Sequence, residues 1–227
     1  MKPIIDNIWH RLYLMRPKEY HWPYSALYSR IASVMEPAYE HIARMTALPR
    51  HLETLLEVGG GDGRFAVALA RQYPNLSRII TTDISKDMTD RARKRAMKNG
   101  LGNRIYSEVQ DVHNLNYQDN CFDVVVSIFS MHHWREPTKG LLELDRVLKP
   151  EGILIVIDGH DRPSFKSTRR TASAFGGSIW TSIAYWIGSK DVLSYSEIAH
   201  IVEKCEIKYI SILVDEQVLA VGGVKES

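Results

Sequence analysis

An α/β fold with a mostly parallel sheet, a C-terminal antiparallel hairpin, helices on both faces and an N-terminal helical extension is predicted for this chain. Three observations predict it. The apolar run Leu55 to Val58 stops at Gly59-Gly60-Gly61-Asp62-Gly63, and an apolar helical pattern follows at once. That is a strand, a tight turn and a helix start. From Thr54 onward, strand and helix patterns alternate, as they do where parallel strands are joined by crossover helices. The tail then breaks the alternation: strand patterns Ile207 to Val214 and Gln217 to Val221 are separated only by Asp215-Glu216. Two residues leave no room for a crossover, so these strands must form a hairpin.

The elements follow in order. Residues 1–50 read as helices broken at Pro17, Pro23, Pro37 and Pro49, and are rich in aromatics, among them Trp9, Tyr13, Trp22 and Tyr39. They are expected as a cap over the sheet's ligand edge, or as packing anchors. Thr54 to Val58 is the first strand. A helix over Gly63 to Tyr73 has Phe65, Ala66, Leu69 and Ala70 on one face, the spacing of a buried stripe. Ser77 to Thr82 is the second strand, and Lys86 to Asn99 a charged helix closed by Gly100, a natural C-cap. Arg104 to Val109 and Phe122 to Ile128 are strands three and four, the latter a continuous apolar run buried on both faces. Pro137 to Leu148 is a helix with proline in its first turn, Gly152 to Ile157 the fifth strand, and Tyr195 to Glu203 a helix whose Ser194 and Glu197 have capping-box spacing.

The 227 residues suffice for one α/β domain over 51–227 beside the extension. A net charge of +2 gives no support for bulk attraction to nucleic acid or membrane. Cys121 and Cys205, far apart in sequence, read as buried thiols that suit a reducing cytoplasm. The N-terminal residues do not read as a signal peptide, and no apolar run reaches spanning length.

Four strand ends bring polar groups to one crevice. The glycines let a ligand approach the main chain, and the N–H groups of the new helix face it. Asp83 ends strand two, about 20 residues after the turn, where a carboxylate accepts from ribose hydroxyls. Asp111 follows strand three, and Ser127-Ile128-Phe129-Ser130-Met131-His132-His133-Trp134 closes strand four. Glu57 interrupts an apolar strand just before the turn. A charge buried there needs a partner, either a ligand ammonium or a basic side chain of the protein.

As an ordered set these segments resemble the class I S-adenosylmethionine-dependent methyltransferases, most closely their type 11 small-molecule branch. Leu56-Glu57-Val58-Gly59-Gly60-Gly61-Asp62-Gly63 is similar to the family's first motif, Thr82-Asp83-Ile84-Ser85 to its second and Gln110-Asp111-Val112 to its third. Phe122 to Ser127 with Met131-His132-His133-Trp134, and Leu142 to Gly152, match the fourth-strand segment and the approach to strand five, with Glu151 where the family usually has glycine. The resemblance implies a Rossmann-like seven-stranded sheet and S-adenosylmethionine as cofactor. It implies that Glu57 faces the methionine amino group and that the backbone at Gly59 and Gly61 approaches the amino-acid end. It implies Asp83 on the ribose, Ile84 on the adenine face, Asp111 and Val112 on the adenine edge, and Ser127 and Phe129 under the sulfonium.

Methyl transfer is an in-line displacement that gains from positioning. An oxygen or nitrogen acceptor must also lose a proton, and His132 or His133 is a candidate base; shaping of the pocket is the alternative role. The pair, even with the loose Asp158-Gly159-His160-Asp161, does not make a metal site, because adjacent strand residues point oppositely. Residues 159–190, with aromatic Thr171 to Gly188, read as a substrate lid, a homodimer contact or plain core. The basic residues of the Lys86 helix read as a solvated face and those of Arg162 to Arg170 as surface, so nucleic acid is not expected as partner. The expected activity is methyl transfer to a small molecule. RNA, protein or lipid acceptors are the alternatives within that chemistry. Gly61 to Ala66 also fits a loose nicotinamide-binding pattern, and a binding protein without turnover is a further reading.

Overall fold

The computed structural model describes residue 29 and residues 33–159, 193–214 and 218–226. The aromatics before Ser29, the stretch 160–192 and the hairpin turn at Asp215-Glu216 lie outside the described residues.

Seven strands form one sheet: β1 (Thr54–Val58), β2 (Arg78–Asp83), β3 (Ile105–Val109), β4 (Phe122–Ile128), β5 (Leu148–Gly159), β6 (Ser211–Val214) and β7 (Val218–Val224). Their order is β3-β2-β1-β4-β5-β7-β6. The first five pair in parallel, and β7 runs antiparallel to both β5 and β6. The strand order reverses direction between β1 and β4, which is where an open α/β sheet offers a crevice at its carboxyl edge.

Alternate strand residues enter opposite cores, as the two-residue period requires. Leu55, Ile79, Val124 and Val126 pack on one face with Phe65 and Leu69; Leu56, Ile80 and Val125 pack on the other with Leu141, Leu144 and Ile198. The described helices divide accordingly. α1 (Glu36–Met45), α2 (Arg64–Gln72) and α3 (Lys86–Lys98) cover the first face, while α4 (Pro137–Val147) and α5 (Tyr195–Cys205) cover the second. The local signals explain their ends. Ser85 caps α3 by accepting the Met88 N–H, Gly100 follows that helix at φ +70°, and Ser194 and Glu197 make the full capping box of α5. In the described part of the N-terminal segment, Ile42, Ala43 and Leu48 join the same core as Phe65.

The bounds of β5, β6 and β7 differ most from the sequence expectation, β7 running on to Val224. β5 extends from Leu148 to Gly159, because Leu148 already pairs with Phe122 before a register shift, and the chain crosses Pro150-Glu151 with Glu151 at φ +63°. β6 begins only at Ser211. Ile207, Tyr209 and Ile210 are apolar because they pack on the α4–α5 core, not because they pair. Cys205 is buried as expected, whereas Cys121 is only half-buried, and both are free thiols.

Candidate functional site

The glycine turn after β1 holds Gly59, Gly61 and Gly63 at φ +69°, +54° and +77°, a region other residues enter at a cost. Space is as tight as the dihedrals. A Cβ on Gly59 would lie 1.9 Å from Ser130 Oγ, and one on Gly63 would lie 2.8 Å from the Ala92 Cβ of α3. The turn is pinned to β2: the Gly60 N–H donates to the Thr82 carbonyl at 2.8 Å and the Gly61 N–H to Asp83 Oδ2 at 3.0 Å. Asp83 Oδ1 accepts the Ser85 N–H at 2.9 Å. Burial nevertheless pushes the Asp83 carboxyl up to about 6 against these two hydrogen bonds.

A cavity of about 410 Å³ runs along the carboxyl edge from β1 to β4. Val58, Gly59 and Gly61 line its β1 end, Asp83 and Ile84 come from β2, Asp111 and Val112 from beyond β3, and Phe129, Ser130 and His133 from beyond β4. Asp111 already has protein partners: the His113 backbone and ring, and Arg135 at 2.8 Å. Burial opposes its charge, but the His113 hydrogen bonds and the Arg135 guanidinium hold it below the usual carboxylate range. Phe129 is a non-glycine residue at φ +54°, fixed by donation of its N–H to the Ile157 carbonyl at 2.7 Å.

Glu57 opens onto a smaller cavity that shares Gly59 and Gly61 with the larger one and is also lined by Tyr39. It is 2% exposed, and its Oε2 has no hydrogen-bond partner among the described residues. Burial, reinforced by the charges of Asp83 and Asp62 and offset by a Thr81 hydrogen bond, pushes its carboxyl up to about 7. Such a group favours a cationic neighbour.

Two of the sequence candidates line neither cavity. Ser127 is fully buried and donates its hydroxyl to the Val58 carbonyl at 2.9 Å, tying β4 to β1. His132 turns toward β5, where its ring meets the buried Asp158. His133, beside it at a ring-centroid distance of 3.9 Å, faces the large cavity.

The domain model that describes a methyltransferase domain of type 11 matches residues 56–156, which carry this glycine turn and the ends of all four cavity strands. This segment belongs to the type 11 methyltransferase family. It is a methyltransferase domain. The chain is 33% identical over 110 residues to a demethylmenaquinone methyltransferase of Bacteroides fragilis, covering 48% of this chain and 44% of that protein. It is 32% identical over 133 residues to a demethylmenaquinone methyltransferase of Deinococcus radiodurans, covering 58% and 54%. The chain thus spans about half the length of these curated relatives. In fold it is similar to a Methanococcus maripaludis structure assigned to the S-adenosyl-L-methionine-dependent methyltransferases, with TM-score 0.75, 22% identity and coverage of 93% and 95%.

The methyltransferase domain also contains residues whose part was not readable from sequence. Asp62, inside the glycine motif, is 3% exposed and faces away from the large cavity. Its Oδ2 accepts from Arg95 of α3 at 2.7 Å and from the Ser29 hydroxyl, and its Oδ1 lies 3.2 Å from Arg64 Nε. Arg64 in turn meets Glu36 of α1 and the Ser29 carbonyl. The turn is therefore clamped from both sides by charges, and Arg95 is a structural ion-pair partner rather than part of a solvated face. Tyr39 of α1 packs at 6.3 Å from the Phe65 ring and 6.1 Å from the Phe129 ring.

Proposed function

We propose that this protein transfers a methyl group from S-adenosylmethionine to a small-molecule acceptor. The single observation that carries the reading is the orphaned carboxylate oxygen of Glu57, buried against a turn whose backbone is open to a ligand. A ligand ammonium supplies the cation that this group lacks, and an amino-acid end fits beside Gly59 and Gly61. Asp83 has lone pairs left for ribose hydroxyls, and Ile84, 40% exposed at the cavity wall, suits a flat base. Val112 and Asp111 lie farther along, where the adenine edge would end. Phe129 lines the large cavity at its β4 end, and Tyr39, packed against it, lines the smaller cavity beside Glu57. Ser127 contributes by holding β4 to β1, which fixes where Phe129 stands.

When bound, S-adenosylmethionine supplies an electrophilic methyl group on a sulfonium sulfur. The chain's part is to hold the donor at the crevice, to keep water from the reacting centre and to orient the acceptor in line. Relatives named for demethylmenaquinone support a small-molecule acceptor.

The test is to incubate the purified protein with methyl-labelled S-adenosylmethionine and a whole-cell extract, then separate small molecules from RNA, protein and lipid and identify the labelled compound by mass spectrometry. One labelled small molecule is expected. Label recovered only in RNA, protein or lipid would move the acceptor to that class. Absence of any label at saturating donor would refute the reading.

A further inference from the structure

We propose that His132, held by Asp158, is the base that takes a proton from the methyl acceptor, so that the acceptor belongs to a class with a removable proton: a hydroxyl, an N–H or an activated C–H. The proposal rests on the methyltransferase reading above and narrows its substrate.

Asp158 ends the apolar run of β5 and is fully buried. Its Oδ2 accepts the His132 backbone N–H at 2.9 Å, and its Oδ1 stands 2.7 Å from His132 Nδ1 and accepts the Gly159 N–H at 2.8 Å. A carboxylate only accepts, so the ring proton of neutral His132 sits on Nδ1 and the lone pair is left on Nε2. Backbone and ring of one histidine are thus held by one carboxylate, which fixes both tautomer and orientation. The side chain is 11% exposed, so a base here works in a dry setting.

The sheet order says which side of the donor this base serves. The large cavity takes its lining from the ends of β1 to β4, and nothing of β5 contributes to it. Asp158 and the His132 ring lie on the β5 side of β4, next to the Phe129–Ile157 link. A donor nucleoside that fills the cavity on the β1 to β3 side leaves the β5 side for the incoming nucleophile. His133 faces the donor cavity, whereas His132 faces the β5 side, which separates the roles of the two histidines. Among the described residues, Asp158 and His133 are the titratable groups that touch the His132 ring.

The step balances without a further reactant. His132 Nε2 takes the acceptor's proton, the freed pair on the acceptor atom forms the bond to the methyl carbon, and the carbon–sulfur bonding pair returns to sulfur as a neutral thioether. Asp158 faces the imidazolium that results, and the proton passes to water after product leaves.

Two readouts test this. Nitrogen-15 NMR of histidine-labelled protein, with His132→Gln for assignment, needs no substrate. It should show the neutral ring of wild-type His132 protonated on Nδ1, and a shift toward the Nε2–H form in Asp158→Asn. A wild-type ring protonated on Nε2 overturns the proposal. On the labelled acceptor from the extract, His132→Gln and Asp158→Asn should each lower kcat by about 100-fold or more, with S-adenosylhomocysteine affinity within about threefold of wild type. The rise of kcat with pH at its acid limb should vanish in His132→Gln. Unchanged kcat and pH profile in His132→Gln overturn the proposal and leave the methyltransferase reading standing. A wild type that labels nothing refutes that reading instead, and the tautomer measurement still decides whether the pair is built as drawn. If Asp158→Asn fails to fold, His132→Gln carries the kinetic test alone.

Discussion

Asp83 and Gly61 are joined by a hydrogen bond from the glycine N–H to the carboxylate, 3.0 Å long, that fastens the turn after β1 to the end of β2. Asp83 therefore has two tasks, to shape the turn and to accept from a ligand. Asp83→Ala should weaken S-adenosylmethionine binding by about 1–3 kcal/mol through loss of a charged acceptor, and should also lower the Tm of the ligand-free protein. Calorimetric titration and thermal unfolding measure the two effects. An unchanged dissociation constant in a folded variant would remove Asp83 from the binding site.

Glu57 should trade stability for binding. Its folded carboxyl is raised to about 7, while in the unfolded chain it titrates near the ordinary value of about 4.3. Between these values the native state holds the proton that the unfolded state has lost, so stability falls as pH rises from about 4 to about 7. Above that range the cost of the buried charge is present in full. Glu57→Gln should then stabilise the ligand-free protein at pH 8 by on the order of 2–3 kcal/mol, measured by urea unfolding, with little gain at pH 4. The same variant should lose at least about tenfold in donor affinity. In the wild type, donor binding should strengthen as pH rises through about 7.

Arg95→Ala should destabilise the protein although it lies outside the cavity. It would strip Asp62, 3% exposed, of its 2.7 Å ion pair and free the Asp62 carbonyl that Arg95 Nε now holds at 2.8 Å. A loss of about 2–3 kcal/mol in urea unfolding is expected. A change below about 0.5 kcal/mol would show the clamp to be unimportant.

Gly63→Ala should be equally costly for a different reason. The residue sits at φ +77° and a methyl would approach Ala92 to 2.8 Å. Left-handed strain of about 1–2 kcal/mol adds to overpacking of about 1–3 kcal/mol. Thermal unfolding reads the sum, and a variant as stable as wild type would mean that α3 moves freely away from the turn.

The elements that sequence predicted best were those whose apolar period and end signals agree. β1 and β4 match residue for residue, and the caps at Ser85 and Ser194 act as their spacing implied. The failures lie where pairing is non-local. β5 grows at both ends because its neighbours offer edges beyond the apolar run, and the Ile207–Ile210 stretch is apolar without being a strand because Ile207, Tyr209 and Ile210 pack on the α4–α5 core. In the site, Glu57 and Asp83 were legible as acids at strand ends. Asp158 carried the same signal, an acid closing an apolar strand, but only the fold brings it to His132, 26 positions away. The Asp62 clamp draws on Ser29 and Arg95, each 33 residues distant in sequence, so no local pattern could reveal it.

The most direct test of the central claim is calorimetric titration of the wild type and Glu57→Gln with S-adenosylmethionine, S-adenosylhomocysteine and NAD at pH 8. One equivalent each of the first two should bind the wild type, both weakened in the variant, with no heat from NAD. Tight NAD binding, or S-adenosylmethionine binding indifferent to the loss of the Glu57 charge, would contradict the account.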